Sequence, residues 1–448
     1  MHIIIIGNGI AGTNAARYIR KYSDHTITLI SGESEYPFSR TALMYVYMGH
    51  MKFEHIKLYE DDFWVKNRID RVHAWVTSIH TMSHTLQLDN GATLKYDKLI
   101  LATGSRPNRF DWPGQHLKGV QGLYTLQDLE SMDKASSHLQ RAVIVGGGLI
   151  GIEMAEMFHS RHFPVTFLVR EANFWNHVLP MQESLMIDQE IMDHGIDLKL
   201  ETGLREILDD GYGKVAGVIT DKGERIDAQF VGLTVGVSPN IYFLKNTIIE
   251  TNRGVLVDEY LQTSVDDIYA IGDCAEMRHA GPGRKPIEAI WYAGRIMGQT
   301  VAHTICRAPV PYDPGIWFNS AKFFNIEYQV YGEVQPRISH EFNSLFWQHP
   351  SGKKSIRINY KESDLKVTGF NLLGIRYRHE VCEKWIKSGA NIEEVLQHLS
   401  LANFDPEFYK TYEQHLLDQY YHYSGRRLTL SSGRNLDLVT RFLQKTLN

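Results

Sequence analysis

Gly7-Asn8-Gly9-Ile10-Ala11-Gly12 is the first stretch of this chain whose residue types and spacing point to chemistry. In a Gly-x-Gly-x-x-Gly turn the first glycine makes the bend and the second lets the backbone approach a pyrophosphate. The third lets the next helix pack closely on the strand, and the helix N-terminus faces the phosphates. The turn recurs as Gly146-Gly147-Gly148-Leu149-Ile150-Gly151. An ordinary Gly-rich turn is the competing reading of either copy. Two copies with the same flanks argue against it, so two dinucleotides are expected on one polypeptide. Glu33 lies about 20 residues beyond Gly12, where a carboxylate accepts hydrogen bonds from a ribose; a solvated loop glutamate is the alternative. Arg40 reads either as a pyrophosphate contact or as an exposed loop arginine. Small residues in Ala102-Thr103-Gly104 permit close approach to a ligand, and equally end a strand. Asp273 of Gly272-Asp273 suits a polyol or a helix cap. At the end of the strand behind the second turn an acidic residue favours NADH and a basic one NADPH; Val169 holds the usual position, with Arg170 and Glu171 side by side after it. The balance leans slightly to NADH.

These residues need a scaffold of strands and helices. Ile3 to Ile6 form an apolar run without alternation, which suits a strand buried on both faces of a parallel sheet. A helix is expected over Thr13 to Lys21 and a strand over Thr26 to Ile30. The second copy repeats the order: strand Ala142 to Val145, helix Ile152 to Ser160, strand Val165 to Val169. Tyr36 to Leu43 reads as a turn entering a short helix. Residues 72–100 alternate like strands, with a hairpin at Asp89-Asn90-Gly91. Hairpins are also expected over 201–240, and a strand from Val231 to Pro239 that contains Gly236. Asp267 to Ala275 reads as a strand running into Gly272-Asp273, and Glu288 to Cys306 as a helix with Ala289, Ala293, Gly294 and Gly298 on it. Past Pro309, Pro311 and Pro314 the composition shifts: strands over 316–375, then a helical, aromatic-rich stretch over 376–423. Leu436 to Leu447 carries apolar residues at helical spacing; the core, a second subunit and a lipid surface are the docking alternatives, and its charge balance and shortness favour protein.

Composition narrows the function classes. A net charge of −5 argues against general nucleic-acid binding and an anionic membrane surface. Cys274, Cys306 and Cys382 are too few and too scattered for a disulfide framework or a zinc site. A reducing, cytoplasmic setting fits them. The apolar N-terminus has no small-residue cleavage site and reads as a strand. No segment approaches the roughly 20 apolar residues of a membrane span. The 21 histidines are scattered, no metal site is expected, and neighbours such as His379 and Glu380 do not face each other on a helix.

Taken together, Gly7-x-Gly9-x-x-Gly12, Ala102-Thr103-Gly104, Gly146-x-Gly148-x-x-Gly151 with Glu153, and Gly272-Asp273 resemble the FAD-dependent pyridine nucleotide-disulfide oxidoreductase superfamily. Tyr36 to Leu43 looks like the Tyr-Ser-Arg region of rubredoxin reductases, ferredoxin reductases and the flavin part of nitrite reductases. The resemblance implies an α/β fold with two Rossmann-like domains, the second inserted in the first, and an α+β C-terminal interface domain. The implied spans are 1–115 and 241–310 for FAD, 116–240 for NAD(P)H and 311–448 for the interface domain. It also implies that Asp273 binds the flavin ribitol, that Glu288, Ala289, Ile290 and Trp291 lie at the flavin pyrimidine, and that Glu153 lies near the nicotinamide.

Departures from the family pattern are equally informative. The disulfide branch carries Cys-x-x-x-x-Cys beside the flavin; this chain has no such pair. Coenzyme A disulfide reductases and NADH peroxidases carry one cysteine where this chain has Thr41, which forms neither thiolate nor sulfenic acid. Tyr45 replaces a lysine of many oxygenase-linked ferredoxin reductases. The expectation is therefore an FAD-dependent NAD(P)H oxidoreductase whose electrons leave for a small redox protein, a quinone or O₂ without a thiol. Glu153, Thr41 and Tyr45 are its candidate catalytic residues. A redox-sensing flavoprotein of the apoptosis-inducing-factor type is the alternative. A homodimer is an open expectation.

Overall fold

β1 (His2–Ile6) is the central strand of a parallel sheet. Ile3, Ile4 and Ile5 are wholly buried, as an unbroken isoleucine run requires when both faces are covered. The computed structural model describes residues 1–281, 283–404 and 410–431. By their contacts the residues form two compact units, one of residues 1–168 and 203–314, the other of 169–202 with the chain from Gly315 on.

In the first unit α1 (Ile10–Tyr22) follows β1 and returns to β2 (Thr26–Ser31). A short α2 (Leu43–Tyr47), a single-turn α3 (Phe63–Lys66) and β3 (Ile69–His73) follow. Then come the antiparallel β4 (Val76–His80), β5 (Thr85–Leu88) and β6 (Thr93–Lys95), with Asp89-Asn90-Gly91 turning β5 into β6. β7 (Lys98–Leu101) and β19 (Ile268–Ala270) complete the first sheet in the order β19-β7-β1-β2-β3, with every pair parallel. β1 lies between β2 and β7, so the chain reverses its winding there. The first glycine turn therefore opens at the crevice where such sheets bind ligands.

β8 (Ser105–Pro107) and β17 (Val237–Pro239) pair antiparallel as a ribbon. Between them lie β9 (Val120–Gln121), α4 (Leu126–Ser136), β10 (Ala142–Val145), α5 (Leu149–Ser160), β11 (Val165–Leu168) and β16 (Phe230–Leu233). These strands run in the order β11-β10-β16-β9, again parallel, with β10 in the place of β1. The expected hairpins appear as β13 (Leu204–Asp209), β14 (Val215–Thr220) and β15 (Arg225–Asp227). β18 (Val255–Val257) pairs with β20 (Ala275–Met277), and α7 (Trp291–Cys306) closes the unit.

The second unit holds β12 (Asp197–Lys199), α6 (Met181–Asp193) and an antiparallel sheet of order β21-β22-β25-β24-β23. Its strands are β21 (Phe318–Phe323), β22 (Ile326–Gly332), β23 (Phe342–Gln348), β24 (Ser355–Lys361) and β25 (Val367–Leu373). One face, with Ile356, Ile358, Tyr360, Phe370 and Leu372, forms a core with α8 (His379–Ser388), α9 (Ile392–Gln397) and α10 (Glu413–Ser424). On the other, Arg357 grips Glu183 of α6 through two bonds of 2.7 and 2.8 Å, and both side chains are almost fully buried.

Several expected boundaries move. α1 begins at Ile10 and not at Thr13, because the third glycine already lies inside the first turn. α5 likewise begins at Leu149. The strand expected over Val231 to Pro239 is two strands, broken at Gly236, where φ is +90°. The strand over Asp267 to Ala275 ends at Ala270, and Gly272–Cys274 is a 3-10 turn. Glu288 and Ala289 precede the helix they were expected to start: Ile290 is extended and caps α7, which begins at Trp291. The expected helix Leu436 to Leu447, with Phe408 and Tyr409, lies outside the described residues.

Candidate functional site

The three glycines of the first turn have three different surroundings. A Cβ on Gly7, where φ is +111°, would meet the Ala102 carbonyl oxygen at 2.1 Å, and one on Gly12 would meet the Gly7 oxygen at 2.0 Å. Gly9 has no atom within 4 Å of that position. The outer two glycines are thus required by the protein's own packing, and the middle one opens onto free space. Gly9 caps α1 with no side-chain hydrogen bond. The first-turn N–H groups, Ile10 and Ala11 among them, are the donors that such a helix start presents to an anion. The turn therefore leaves open space beside helix-start N–H groups, a donor set whose chemistry would suit the pyrophosphate of FAD.

Glu33, just beyond β2, is held at the N-terminus of α4. Its Oε1 accepts from Leu126 N–H at 2.9 Å, and its backbone oxygen accepts from the Gln127 side chain at 2.8 Å. Arg40 donates to both Glu33 carboxylate oxygens, at 2.9 and 2.6 Å, which is the bidentate geometry a guanidinium favours. Arg40 also donates to the Tyr124 carbonyl and lies over the Tyr124 ring, 4.4 Å from its centre. Thr41 shares the 3-10 turn Arg40–Ala42 and is exposed, with its Oγ1 3.2 Å from Ser39 Oγ. Tyr45 stands on α2, its ring stacked on His50 at 6.3 Å.

Ala102 donates its N–H to Ile6 across the sheet at 2.8 Å, and the Thr103 hydroxyl donates to the Asn240 carbonyl at 2.8 Å. Gly104, with φ at +65°, lies against Tyr124: a Cβ there would come within 2.8 Å of the Tyr124 hydroxyl. Asp273 sits in the 3-10 turn after β19 and caps no α-helix, since α7 starts at Trp291. Its Oδ2 accepts from the Ser105 hydroxyl at 3.1 Å and the Tyr124 hydroxyl at 3.4 Å. Burial pushes this carboxyl above the usual aspartate range. Gly272 N–H contacts Met297 Sδ of α7 at 3.2 Å, which brings α7 behind the turn. Glu288 is buried, takes one hydrogen bond from Arg284, and has no partner for Oε1.

The second turn repeats the glycine logic. A Cβ on Gly146 would meet Thr234 oxygen at 2.6 Å and one on Gly151 would meet Gly146 oxygen at 2.2 Å, whereas Gly148 has nothing within 4 Å. Gly148 caps α5 without a side-chain bond, and Leu149 and Ile150 form its first turn. Glu153 stands one turn further on. Burial, with the charge of Glu156 beside it, pushes its carboxyl up to about 7. Gly236 is exposed in the turn leading to β17. Arg170 and Glu171 belong to the second unit, where Arg170 Nε donates to Glu171 at 2.8 Å.

Burial works against a thiolate at each of the three cysteines. Cys274 is wholly buried, its thiol aimed at the Leu101 and Ile271 carbonyls, and Cys382 is wholly buried too. Burial pushes both thiols up, away from reactivity. Half-buried Cys306 contacts Ser23. His379 faces Glu383, one turn away, at 3.5 Å, and not its neighbour Glu380. Among the described residues, no group of His, Cys, Asp and Glu is placed to hold a metal ion, and no helix is long and apolar enough to cross a membrane.

Three residues of this neighbourhood are new to the structure: Tyr124, Ser105 and Thr234, whose hydroxyl bonds Val145 oxygen at 2.8 Å. A signal for the first existed. Thr125-Leu126-Gln127-Asp128 is a capping box, with Thr125 Oγ1 accepting from Asp128 N–H and Asp128 Oδ2 accepting from Thr125 N–H. It places Tyr124 just before a helix start, on a backbone that Asp128 also holds.

The family described as "Pyridine nucleotide-disulphide oxidoreductase" matches residues 1–303. The chain is 33% identical over 325 residues to the 5,5'-dehydrodivanillate O-demethylase ferredoxin reductase subunit of Sphingobium sp. (strain NBRC 103272 / SYK-6), covering 71% of this chain and 79% of that protein. It is 29% identical over 307 residues to the assimilatory nitrate reductase electron transfer subunit of Bacillus subtilis (strain 168). That match covers 68% of this chain but only 39% of the relative's length. Among solved structures, reduced Bacillus anthracis CoADR-RHD aligns with a TM-score of 0.81 at 19% identity, over 95% of this chain and 81% of that one, a likeness of fold.

Proposed function

The chain belongs to the pyridine nucleotide-disulphide oxidoreductase family, and we propose that it passes electrons from NAD(P)H through FAD to a small iron–sulphur protein without a thiol relay. It is an FAD-dependent NAD(P)H oxidoreductase with an electron-transfer role. When bound, NAD(P)H supplies a hydride and FAD converts it into electrons deliverable one at a time. The protein supplies orientation and charge. Gly9 and the α1 N-terminus take the FAD pyrophosphate, with Glu33 and Arg40 at the same crevice and Asp273 on the ribitol. Ala102 to Gly104 and the start of α7 at Ile290 and Trp291 line the flavin, and Gly148 and the α5 N-terminus take the second pyrophosphate. Glu153 stands toward the nicotinamide, and Thr41 and Tyr45 toward the acceptor. With Arg170 and Glu171 side by side in the sequence, the coenzyme choice leans slightly to NADH.

The observation that carries this reading is the state of the thiols. Thr41 stands where a cysteine relay would begin, and Cys274, the cysteine next to Asp273, is wholly buried, with burial pushing its thiol up. A ferredoxin reductase subunit among the relatives supports the acceptor class. Anaerobic titration of the purified protein with NADH and with NADPH, followed by ferredoxin, rubredoxin, a quinone and O₂, tests it. The reading expects bleaching of the flavin by NADH and its fastest recovery with an iron–sulphur protein. Recovery that is fast only with a quinone or O₂ would overturn the acceptor assignment.

A further inference from the structure

We infer that Tyr124 is a positioning residue of the flavin site, setting Arg40 and Asp273 in register for the cofactor. The inference rests on the reading that this crevice holds FAD. Tyr124 touches both groups by different parts of itself. Its carbonyl accepts from Arg40 Nη1, and the face of its ring lies 4.4 Å from the Arg40 guanidinium carbon. Its hydroxyl accepts the Ser105 N–H at 2.8 Å, which leaves the hydroxyl proton to point at Asp273 Oδ2, 3.4 Å away. Ser105 Oγ donates to the same carboxylate oxygen at 3.1 Å. One oxygen of Asp273 is thereby committed to the protein, and the carboxylate presents the other in a fixed direction.

Tyr124 is itself held from behind. Its N–H donates to Asp128 Oδ2 at 2.9 Å, inside the capping box that starts α4. The same helix start binds Glu33 through Leu126 N–H, and Glu33 grips Arg40. Helix α4 thus fixes Glu33 and Tyr124 together, and between them they fix the guanidinium. A guanidinium stacked on an aromatic face and bonded on its edge has little freedom left. Because Tyr124 acts through Arg40 and Asp273, its removal weakens FAD retention without creating a hole in a hydrophobic core.

The test compares purified holoproteins: wild type, Tyr124→Phe, Tyr124→Leu and, as a reference for the site, Asp273→Ala. Flavin fluorescence after dilution gives the rate of FAD release, and the visible spectrum and midpoint potential of the flavin report on its surroundings. Thermal midpoints are measured in saturating FAD. Tyr124→Phe keeps the ring and loses the hydroxyl, so FAD release is about tenfold faster, and the thermal midpoint in saturating FAD falls by no more than that weaker binding requires. Tyr124→Leu also loses the stack on Arg40, releases FAD faster still, and shifts the flavin band and potential. If Asp273→Ala releases FAD faster while both Tyr124 variants match wild type in release, spectrum and potential, the inference fails and the flavin site stands. If Asp273→Ala also holds FAD as wild type does, the site reading itself fails.

Discussion

Glu153 illustrates how surroundings shift a single carboxyl. Helical spacing places Glu156 on the same face, and burial in α5 penalises the charged form, so the two effects add. The direction has a consequence for stability. A carboxyl whose folded value is raised to about 7 from 4.5 carries stability that is present below pH 4.5 and drains away as pH rises toward 7. Glu153→Gln is therefore expected to melt higher than wild type at pH 8 and equally at pH 4, as calorimetry would show. It is also expected to remove an inflection near pH 7 from the rate of flavin reduction by NADH; an inflection that survives the substitution belongs to another group. At this scale the sequence was legible wherever a motif fixes the backbone: the glycines, Gly272-Asp273 and Glu153 stand on turns and helix starts. The capping box marks only the place of Tyr124 before a helix; its role, like that of Ser105, comes from contacts between segments far apart in the chain.

At the scale of elements, the two glycine turns show why residues of one type fail differently. Gly9 has φ near −66° and open space at its Cβ position, so alanine there folds normally. A methyl group in the cradle is expected to reduce FAD retention at least tenfold while leaving the thermal midpoint of the FAD-free fraction unchanged. Gly298 is the opposite case. α7 crosses α1 so closely that a Cβ on Gly298 would lie 2.5 Å from Ala11 oxygen, a backbone atom that cannot step aside. Gly298→Ala is expected to cost about 1–3 kcal/mol by overpacking and to lose FAD as well, since α1 carries the cradle. Denaturant unfolding with flavin analysis separates the two. In the second unit, Arg357→Ala removes the cation from buried Glu183, leaving it the Asn371 amide at 3.1 Å, and is expected to cost about 3–5 kcal/mol, whereas replacing both by apolar residues of similar volume is near neutral. Element types were readable from periodicity, and their ends were not. The start of α7 slipped to Trp291: Ile290 is extended and caps the helix, its N–H turned back onto the Glu288 carbonyl at 2.9 Å, so Glu288 and Ala289, apt for a helix by propensity, stay outside it.

For the whole molecule, the question is where electrons go after the flavin. The parallel sheets with their glycine turns were visible in the sequence because unbroken apolar runs followed by Gly-x-Gly-x-x-Gly have few structural solutions. The arrangement of β21 to β25 is a matter of long-range pairing that no local pattern encodes, since β25 inserts between β22 and β24. Thr41 lies beside the Arg40 clamp, and Cys274 and Cys382 are wholly buried. The most direct test is anaerobic stopped-flow on NADH-reduced protein in which Cys274, Cys306 and Cys382 are all replaced by alanine. The account predicts that a ferredoxin or rubredoxin reoxidises the flavin as fast as in wild type, and that neither protein turns over glutathione or coenzyme A disulfide. Disulfide reduction by wild type that vanishes in the cysteine-free variant would contradict it.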